Sequence, residues 1–253
     1  MSITNRFSDI DVTFKRLPAV HGYHSQQLVS IEKSLESIES QINELKIYIK
    51  QAKKYCHFPS EHGLTRDESA AVYIYTMEWD ETSLYRLLNK ALRNENRQDI
   101  KIWFSYLKLF DTALDKLPTV KESVWRGIPL DIGKNYTKNQ VLTWWPVSSC
   151  SSSVNVIEKF LENNKSSTLF LIETINGKKV SGYTALEDED EIILKIGTQF
   201  RVKSPPLKQS NQSYLVHLIE LDHNDESVAS PIKNLSVTPK PSNQEASRAS
   251  RDA

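Results

Sequence analysis

The feature that most constrains the fold of this chain is a change of hydrophobic periodicity at Pro118. Before it, apolar residues recur every three or four positions, which is typical of amphipathic helices. After it, short runs of β-branched and aromatic residues are separated by turn residues, which is typical of strands. Helices followed by strands indicate an α+β fold rather than alternating βαβ units. We therefore predict a helical lobe over residues 24–117 and a β-rich half over residues 118–222.

The first helical segment carries an unbroken apolar seam over residues 28–56. Such a seam fits either a coiled-coil oligomerisation segment, or a helix or bent pair of helices packed on its own domain. Val29 and Ile47 widen the stripe beyond the two-position seam of a coiled coil, which favours packing on the domain. Farther along, Thr65 and Glu68 stand three apart before an apolar run, so they predict a capping box at the start of a helix.

Turn residues divide the β-rich half into predicted strands and one short helix. The first strand, Ser123–Arg126, is ended by Gly127 and Pro129. The helix covers residues 154–160, and the remaining strands cover residues 141–145, 168–173, 191–194, 198–202 and 214–221. Residues 1–23 have no regular pattern. Residues 223–253 are rich in Ser, Pro, Asn, Lys and Asp, so we predict a disordered tail there.

Composition excludes several classes of function. The chain has 253 residues with 32 basic and 32 acidic side chains, so no net field attracts nucleic acid or an anionic membrane. With seven glycines, it contains neither GxGxxG nor GxxxxGK[ST]. For Cys56 and Cys150 we expect free thiols rather than one bridge. Cys56, His57 and His62 lack the second cluster that a tetrahedral site needs, so we predict no metal.

The ends and the apolar runs of the sequence bear on location. The first residues lack the apolar region of a secretory signal, and no apolar run is long enough to cross a bilayer. We therefore expect a cytoplasmic protein with neither a membrane nor a nucleic-acid partner. We also expect a monomer.

A short acidic run, Glu187–Glu191, enters the apolar strand predicted over residues 191–194. A charge run is most often a solvated face. In an extended chain, however, Glu189 and Glu191 point the same way because they are two residues apart. Two carboxylates on one face repel each other, and such pairs tend to persist where chemistry requires them. The pair is therefore a candidate site.

Two upstream features are also weak by themselves. Arg126 next to Gly127 fits an ordinary surface charge, or a fork of N–H donors for a phosphate or carboxylate. The serine cluster over residues 148–153 fits a loop with a helix cap at Ser152 or Ser153, or a hydroxyl that orients a neighbouring catalytic group.

Taken in chain order, Arg126, the serine cluster and the pair of Glu189 and Glu191 resemble the arginine-specific mono-ADP-ribosyltransferases of the R-S-E class. The stretches that carry the resemblance in the β-rich half are Trp125-Arg126-Gly127-Ile128, Thr143-Trp144-Trp145, Ser149-Cys150-Ser151, Ile175-Asn176-Gly177-Lys178, Glu189-Asp190-Glu191-Ile192 and Gly197-Thr198-Gln199-Phe200. The helical half is similar to that family's N-terminal lobe. The resemblance covers about residues 24–222, and it implies an N-terminal helical lobe followed by a mostly antiparallel β-sandwich core.

The resemblance implies that the chain is a glycosyltransferase that moves one ADP-ribose from NAD to an arginine of a protein acceptor and releases nicotinamide. Glu191 would stabilise the ribosyl cation and Glu189 would hold and help deprotonate the acceptor guanidinium. Arg126, with Gly127 beside it, would bind NAD, and Ser149 would orient Glu191. The motif serine is assigned to Ser149, with Ser148 and Ser151 open.

Further expectations attach to the same resemblance. Phe160 would stack on nicotinamide or fill a core position. NAD is the expected co-substrate, with NADP open. Two alternatives remain: an NAD glycohydrolase that uses water as the acceptor, and a silent module that keeps the fold without catalysis.

Overall fold

The computed structural model describes residues 5–9, 17–20, 22–161, 166–209 and 213–222. The predicted tail, residues 223–253, lies outside them, as does most of the irregular segment over residues 1–23. Among the described residues, no helix combines the length and the apolar character that crossing a bilayer requires.

Six α-helices occur within the described ranges, and five of them precede the sheet. They are α1 Ile31–Leu35, α2 Leu45–Tyr55, α3 Arg66–Thr76, α4 Leu84–Arg93, α5 Phe104–Lys116 and α6 Val154–Leu161. Short 3-10 turns lie at Asn5–Ser8, Gly22–Ser25, Glu36–Gln41, Asp99–Trp103, Gly133–Asn135 and Glu187–Glu189. The helical lobe therefore lies where the periodicity predicts it.

The predicted apolar seam forms a bent pair of helices, α1 and α2, rather than one long helix. A 3-10 turn follows α1, and Glu44 at φ 54° turns the chain into α2. The seam side chains are buried in the core of the helical lobe, whereas Leu28 is exposed. The preferred interpretation, packing on the domain, is confirmed, but Ile47, one of the two residues that favoured it, is exposed and does not widen the buried stripe. At the start of α3, Thr65 and Glu68 form the predicted capping box.

Ten strands lie in the described part of the β-rich half. They are β1 Thr119–Val120, β2 Ser123–Ile128, β3 Val141–Trp144, β4 Ser148–Ser151, β5 Thr168–Glu173, β6 Gly177–Lys179, β7 Glu191–Leu194, β8 Thr198–Val202, β9 Leu207–Lys208 and β10 Tyr214–Glu220. Their order is β1-β6-β7-β4-β2-β5-β10-β8-β3, with β9 beside β10. Among the described residues, the β5–β10 pairing alone is parallel. The α+β fold with a mostly antiparallel sheet is confirmed.

The sheet has two halves that meet at β4 and β2. One residue pair, Trp125 opposite Ser151, joins them, whereas β2 and β5 pair over six positions. Side chains of both halves nevertheless share one core, including Val124 and Phe170 from one half and Cys150 and Ile192 from the other.

Two local predictions are wrong. Gly127 does not end its strand, because β2 continues to Ile128 while paired with β5. The serine cluster is not a loop: residues 148–151 form β4, whose four residues pair with β7. Serine has no strand preference that could indicate this, and the residues that pair with β4 lie 40 to 46 positions farther along the chain.

Candidate active site

The predicted site residues gather at the junction of the two sheet halves. Arg126 comes from β2, Ser149 and Ser151 from β4, and Glu191 from the first position of β7. All four are at most 1% exposed. Charged and hydroxyl groups are seldom buried together unless they are paired or functional.

Arg126 is a buried cation without a carboxylate partner among the described residues. Its guanidinium donates from Nη1 to the Ser149 carbonyl and from Nη2 to the Asp9 carbonyl at 2.6 Å. The face of Trp144 lies 5.7 Å from it. Burial lowers the pKa of Arg126, so the site would gain by receiving an anion there. Its Nε has no hydrogen-bond partner in the described part of the chain.

The serines of β4 have different surroundings. Ser151 lies directly opposite Glu191 in the ladder, and its hydroxyl donates to the Glu189 carbonyl at 2.7 Å. Ser149 lies two positions away, opposite Ile193, and its Oγ contacts no hydrogen-bonding group within the described ranges. Ser148 donates to the Pro146 carbonyl. Of the three, Ser149 therefore has the hydroxyl left for a ligand.

Cys150, between the two serines, faces the opposite side of the strand. It lies in the core shared by both halves of the sheet. Burial raises the pKa of its thiol to about 12, so it stays protonated and is a poor nucleophile. Cys56 is also buried, and both cysteines are free thiols, as the sequence predicts.

Glu189 and Glu191 converge, but not through the extended geometry that the sequence suggests. Glu189 ends a 3-10 turn, Asp190 has φ 46°, and β7 begins only at Glu191. The left-handed Asp190 turns the two carboxylates to one side. Glu191 has a fully buried side chain, whereas that of Glu189 is 16% exposed. Only Glu189 is thus reachable from solvent.

The convergence of the two carboxylates is shown by a residue that sequence reasoning missed, Arg6. Its Nη2 is 2.6 Å from Glu189 Oε2 and 3.2 Å from Glu191 Oε2, and its Nη1 donates to the Thr76 carbonyl. Burial lowers the pKa of Arg6, but Glu191 and Glu189 raise it more, so the net shift is upward. The guanidinium is therefore firmly charged between two carboxylates.

Glu191 keeps one oxygen available. Thr184 donates to its Oε2 at 3.4 Å, while its Oε1 is buried without a partner in the described part of the molecule. Together with Arg126 Nε and Ser149 Oγ, this gives one unpartnered polar atom on each of the three main predicted residues. A ligand that carries both hydroxyl groups and anionic oxygens fits such a set.

Gly127 and Phe160 lie at the helix that covers this part of the sheet. A Cβ at Gly127 would be 2.5 Å from Ile157 Cγ2 of α6, so glycine lets α6 pack closely on β2. Phe160, on α6, is partly buried, and its ring centroid is 6.5 Å from that of Phe7. Roles of Gly127 and Phe160 in ligand binding stay predictions.

The other candidate cluster, around Cys56, does not form a metal site. His57 Nε2 lies 2.6 Å from Glu61, and His62 Nδ1 lies 3.0 Å from the Tyr183 hydroxyl. The described residues contain no group of three or more His, Cys, Asp or Glu side chains placed to bind a metal ion.

Comparison with known proteins gives one family. The family model for NAD:arginine ADP-ribosyltransferase matches residues 17–226. A curated protein of Mycobacterium avium (strain 104), provisionally named NAD(+)–arginine ADP-ribosyltransferase Mav, is 30% identical over 168 residues, which are 65% of this chain and 19% of that protein. The chain thus spans only about a fifth of the curated relative that it matches.

Solved structures share the fold at low sequence identity. The ADP-ribosyltransferase Vis of Vibrio splendidus, solved in complex with agmatine, has a TM-score of 0.53 and 18% identity, with 81% of this chain and 92% of that chain covered. The ADP-ribosyltransferase HopU1 of Pseudomonas syringae pv. Tomato DC3000 has a TM-score of 0.53 and 16% identity, with 82% and 100% covered. At such identities the likeness establishes the fold alone.

Proposed function

Because the chain belongs to the NAD:arginine ADP-ribosyltransferase family, we propose that it transfers a single ADP-ribose from NAD to the guanidinium of an arginine. One observation carries the proposal: the carboxylates of Glu189 and Glu191 hold a guanidinium, that of Arg6, at 2.6 and 3.2 Å. Agmatine, the ligand in the Vis complex, carries the same group. A guanidinium can therefore reach Glu189, the more exposed of the two carboxylates, which is the contact that an acceptor arginine requires.

Bound NAD supplies the bond between ribose and nicotinamide, which breaks through a transition state with oxocarbenium character. Glu191 is the residue that would stabilise this positive charge, since a carboxylate in a water-poor site interacts strongly with a developing cation. Its buried position and unpartnered Oε1 support the assignment. Arg126 would bind phosphate or ribose oxygens through its donor fork, which compensates its burial.

Ser149 and Glu189 would complete the site. Ser149 carries a buried, unpartnered hydroxyl on the strand beside Glu191, so it would orient that carboxylate or a ribose hydroxyl. Glu189 is the more exposed carboxylate, so it would receive the acceptor guanidinium. An arginine is a poor nucleophile while protonated, and Glu189 would help to remove a proton as the new bond forms.

The co-substrate, the acceptor, the oligomeric state and the location are finer features of the proposed function. We propose NAD as the co-substrate, with NADP as an alternative, and an arginine-containing protein as the acceptor. We also propose a cytoplasmic monomer without membrane or nucleic-acid partners. The packing of the apolar seam within the helical lobe supports the monomer, and the zero net charge supports the absence of nucleic-acid and anionic membrane partners.

The experiment uses NAD labelled in the ADP-ribose part, with agmatine as the acceptor, at saturating NAD. In Glu189→Gln, transfer to agmatine should fall about a hundredfold while NAD hydrolysis persists, because water needs no carboxylate to hold it in place. Chromatography and mass analysis of the products separate ADP-ribosyl-agmatine from free ADP-ribose. Asp188→Asn, in the same acidic turn, is the matched control and should keep both activities.

Each alternative gives its own result. A wild-type chain that yields only free ADP-ribose with agmatine present is a glycohydrolase. A chain that cleaves no NAD, even when residues 5–9 are altered as below, is a silent module. Equal loss of transfer and hydrolysis in Glu189→Gln would contradict the division of work between Glu189 and Glu191.

A further inference from the structure

Residues 5–9, which we name the N-terminal plug, lie inside the candidate active site. The side chain of Arg6 is fully buried between Glu189, Glu191 and the Thr76 carbonyl. A charged side chain is seldom fully buried unless it is paired, and Arg6 is paired with both carboxylates. The plug contacts the sheet at β2 and β4, the two strands that meet at the junction.

A second contact of the plug is made with Arg126. The Asp9 carbonyl accepts from Arg126 Nη2 at 2.6 Å. The Asp9 carboxylate is fixed from the helical lobe, 2.5 Å from Arg93 Nη1 and 2.8 Å from Asn89 Nδ2. The donor fork proposed to bind NAD is thus already partly engaged, and Asp9 is anchored by two residues of α4.

A third contact is apolar. Phe7 is 1% exposed and forms a small cluster with Ile157 and Leu169. Its ring meets that of Phe160 edge-on, with 6.5 Å between centroids. Phe160 is the residue for which the resemblance implies either stacking on nicotinamide or a core position, so with the first of these roles Phe7 would place an aromatic ring where the ring of NAD is expected.

We propose that the N-terminal plug is an autoinhibitory segment that competes with NAD for this site and must leave before the co-substrate binds. The proposal rests on the function proposed above. The contacts distinguish a competitor from an acceptor: an acceptor arginine would engage Glu189 and leave Glu191 and Arg126 to NAD. Arg6 and Asp9 instead engage all three groups, so plug and NAD exclude each other.

The main test measures binding rather than turnover. The full chain, Arg6→Ala, Phe7→Ala and Arg66→Ala are titrated calorimetrically with a non-hydrolysable NAD analogue. Arg6→Ala and Phe7→Ala should each lower the Kd at least tenfold, because each removes a contact that holds the plug. Arg66→Ala, which removes a surface arginine of α3, is the matched control and should bind as the full chain does.

A peptide of residues 4–10 tests the plug in trans. Added to Arg6→Ala, it should raise the apparent Kd for the analogue, and the same peptide with Arg6→Ala should not. If Arg6→Ala does not fold by circular dichroism, Phe7→Ala takes its place, since it leaves the ion pairs intact. Equal Kd values in the full chain and in the folded plug variants would overturn the proposal.

Two readouts separate this proposal from the proposed function. Tighter analogue binding by the plug variants without any cleavage of NAD would support the plug and contradict the transferase. Cleavage of NAD with unchanged Kd values in the plug variants would support the transferase and contradict the plug. Mass analysis of the full chain after incubation with NAD should find Arg6 unmodified, and ADP-ribose on Arg6 would identify it as an acceptor and overturn the plug.

Discussion

Two buried glutamates, one in each half of the molecule, differ in what surrounds them. Glu68 in α3 is 2% exposed, and Glu191 at the start of β7 is 1% exposed. Glu68 accepts from the Thr65 backbone N–H at 2.7 Å and from Lys116 Nζ at 2.8 and 2.6 Å. Its negative charge is matched and both its oxygens are bonded. It serves the fold.

Glu191 is only half satisfied. Its Oε2 receives Arg6 and Thr184, but its Oε1 has no partner within the described ranges. An unsatisfied buried carboxylate oxygen costs free energy. The difference teaches where this protein accepts such a cost: the carboxylate buried in the helical lobe has both oxygens bonded, while the one buried at the sheet junction keeps an oxygen ready for a ligand.

The largest expected effect is that of Glu191→Gln. It should lower kcat for NAD cleavage about a thousandfold, the order found when one charge-stabilising group is removed from a site. The amide cannot stabilise a developing cation as the carboxylate does. Rates are measured at saturating NAD, and unfolding in urea gives the stability. A variant with unimpaired NAD cleavage would break the comparison, because Glu191 would then be as structural as Glu68.

A smaller effect, in stability alone, is expected for Glu68→Gln. It removes the charge that Lys116 faces, so the free energy of unfolding should fall by about 1–3 kcal/mol. Urea titration monitored by circular dichroism measures this change, and kcat at saturating NAD should stay within about twofold, since the changed group lies in the helical lobe. A greater loss of kcat than of stability would place Glu68 in the catalytic machinery.

The smallest effect should separate the two serines of β4. Ser149→Ala should lower kcat about tenfold, the equivalent of one hydrogen bond to a charged group, and leave the Tm unchanged because its hydroxyl is unpartnered. Ser151→Ala removes the bond to the Glu189 carbonyl, so its Tm should fall. If Ser151→Ala lowered kcat at constant Tm while Ser149→Ala did not, Ser151 would be the motif serine.

What could be predicted from the sequence is what depends on neighbours along the chain. The capping box of Thr65 and Glu68 spans four residues, and the strand at 191–194 is marked by its own apolar run. The α+β organisation follows from periodicity. The site residues are predicted by the resemblance. The order of Arg126, Ser149 and Glu191 along the chain indicates the family, whereas each of the three residues alone is a weak indication.

What could not be predicted depends on distant partners. Residues 148–151 become a strand only because β7 pairs with them. Asp190 adopts φ 46°, although the sequence suggests an extended chain from Glu189 to Glu191. Arg6 lies in a segment without periodicity, and its partners are 183 and 185 residues away. No local pattern marks such a residue, so sequence reasoning left it out of the site.

The distance along the chain between Arg6 and its carboxylates also orders events during synthesis. Arg6 leaves the ribosome 183 residues before Glu189, and a domain generally folds as a unit. The two carboxylates that hold Arg6 are therefore absent until the start of β7 has been made, and the first residues can dock only when the sheet junction is complete. Docking of residues 5–9 is thus expected to be a late step in assembling the protein.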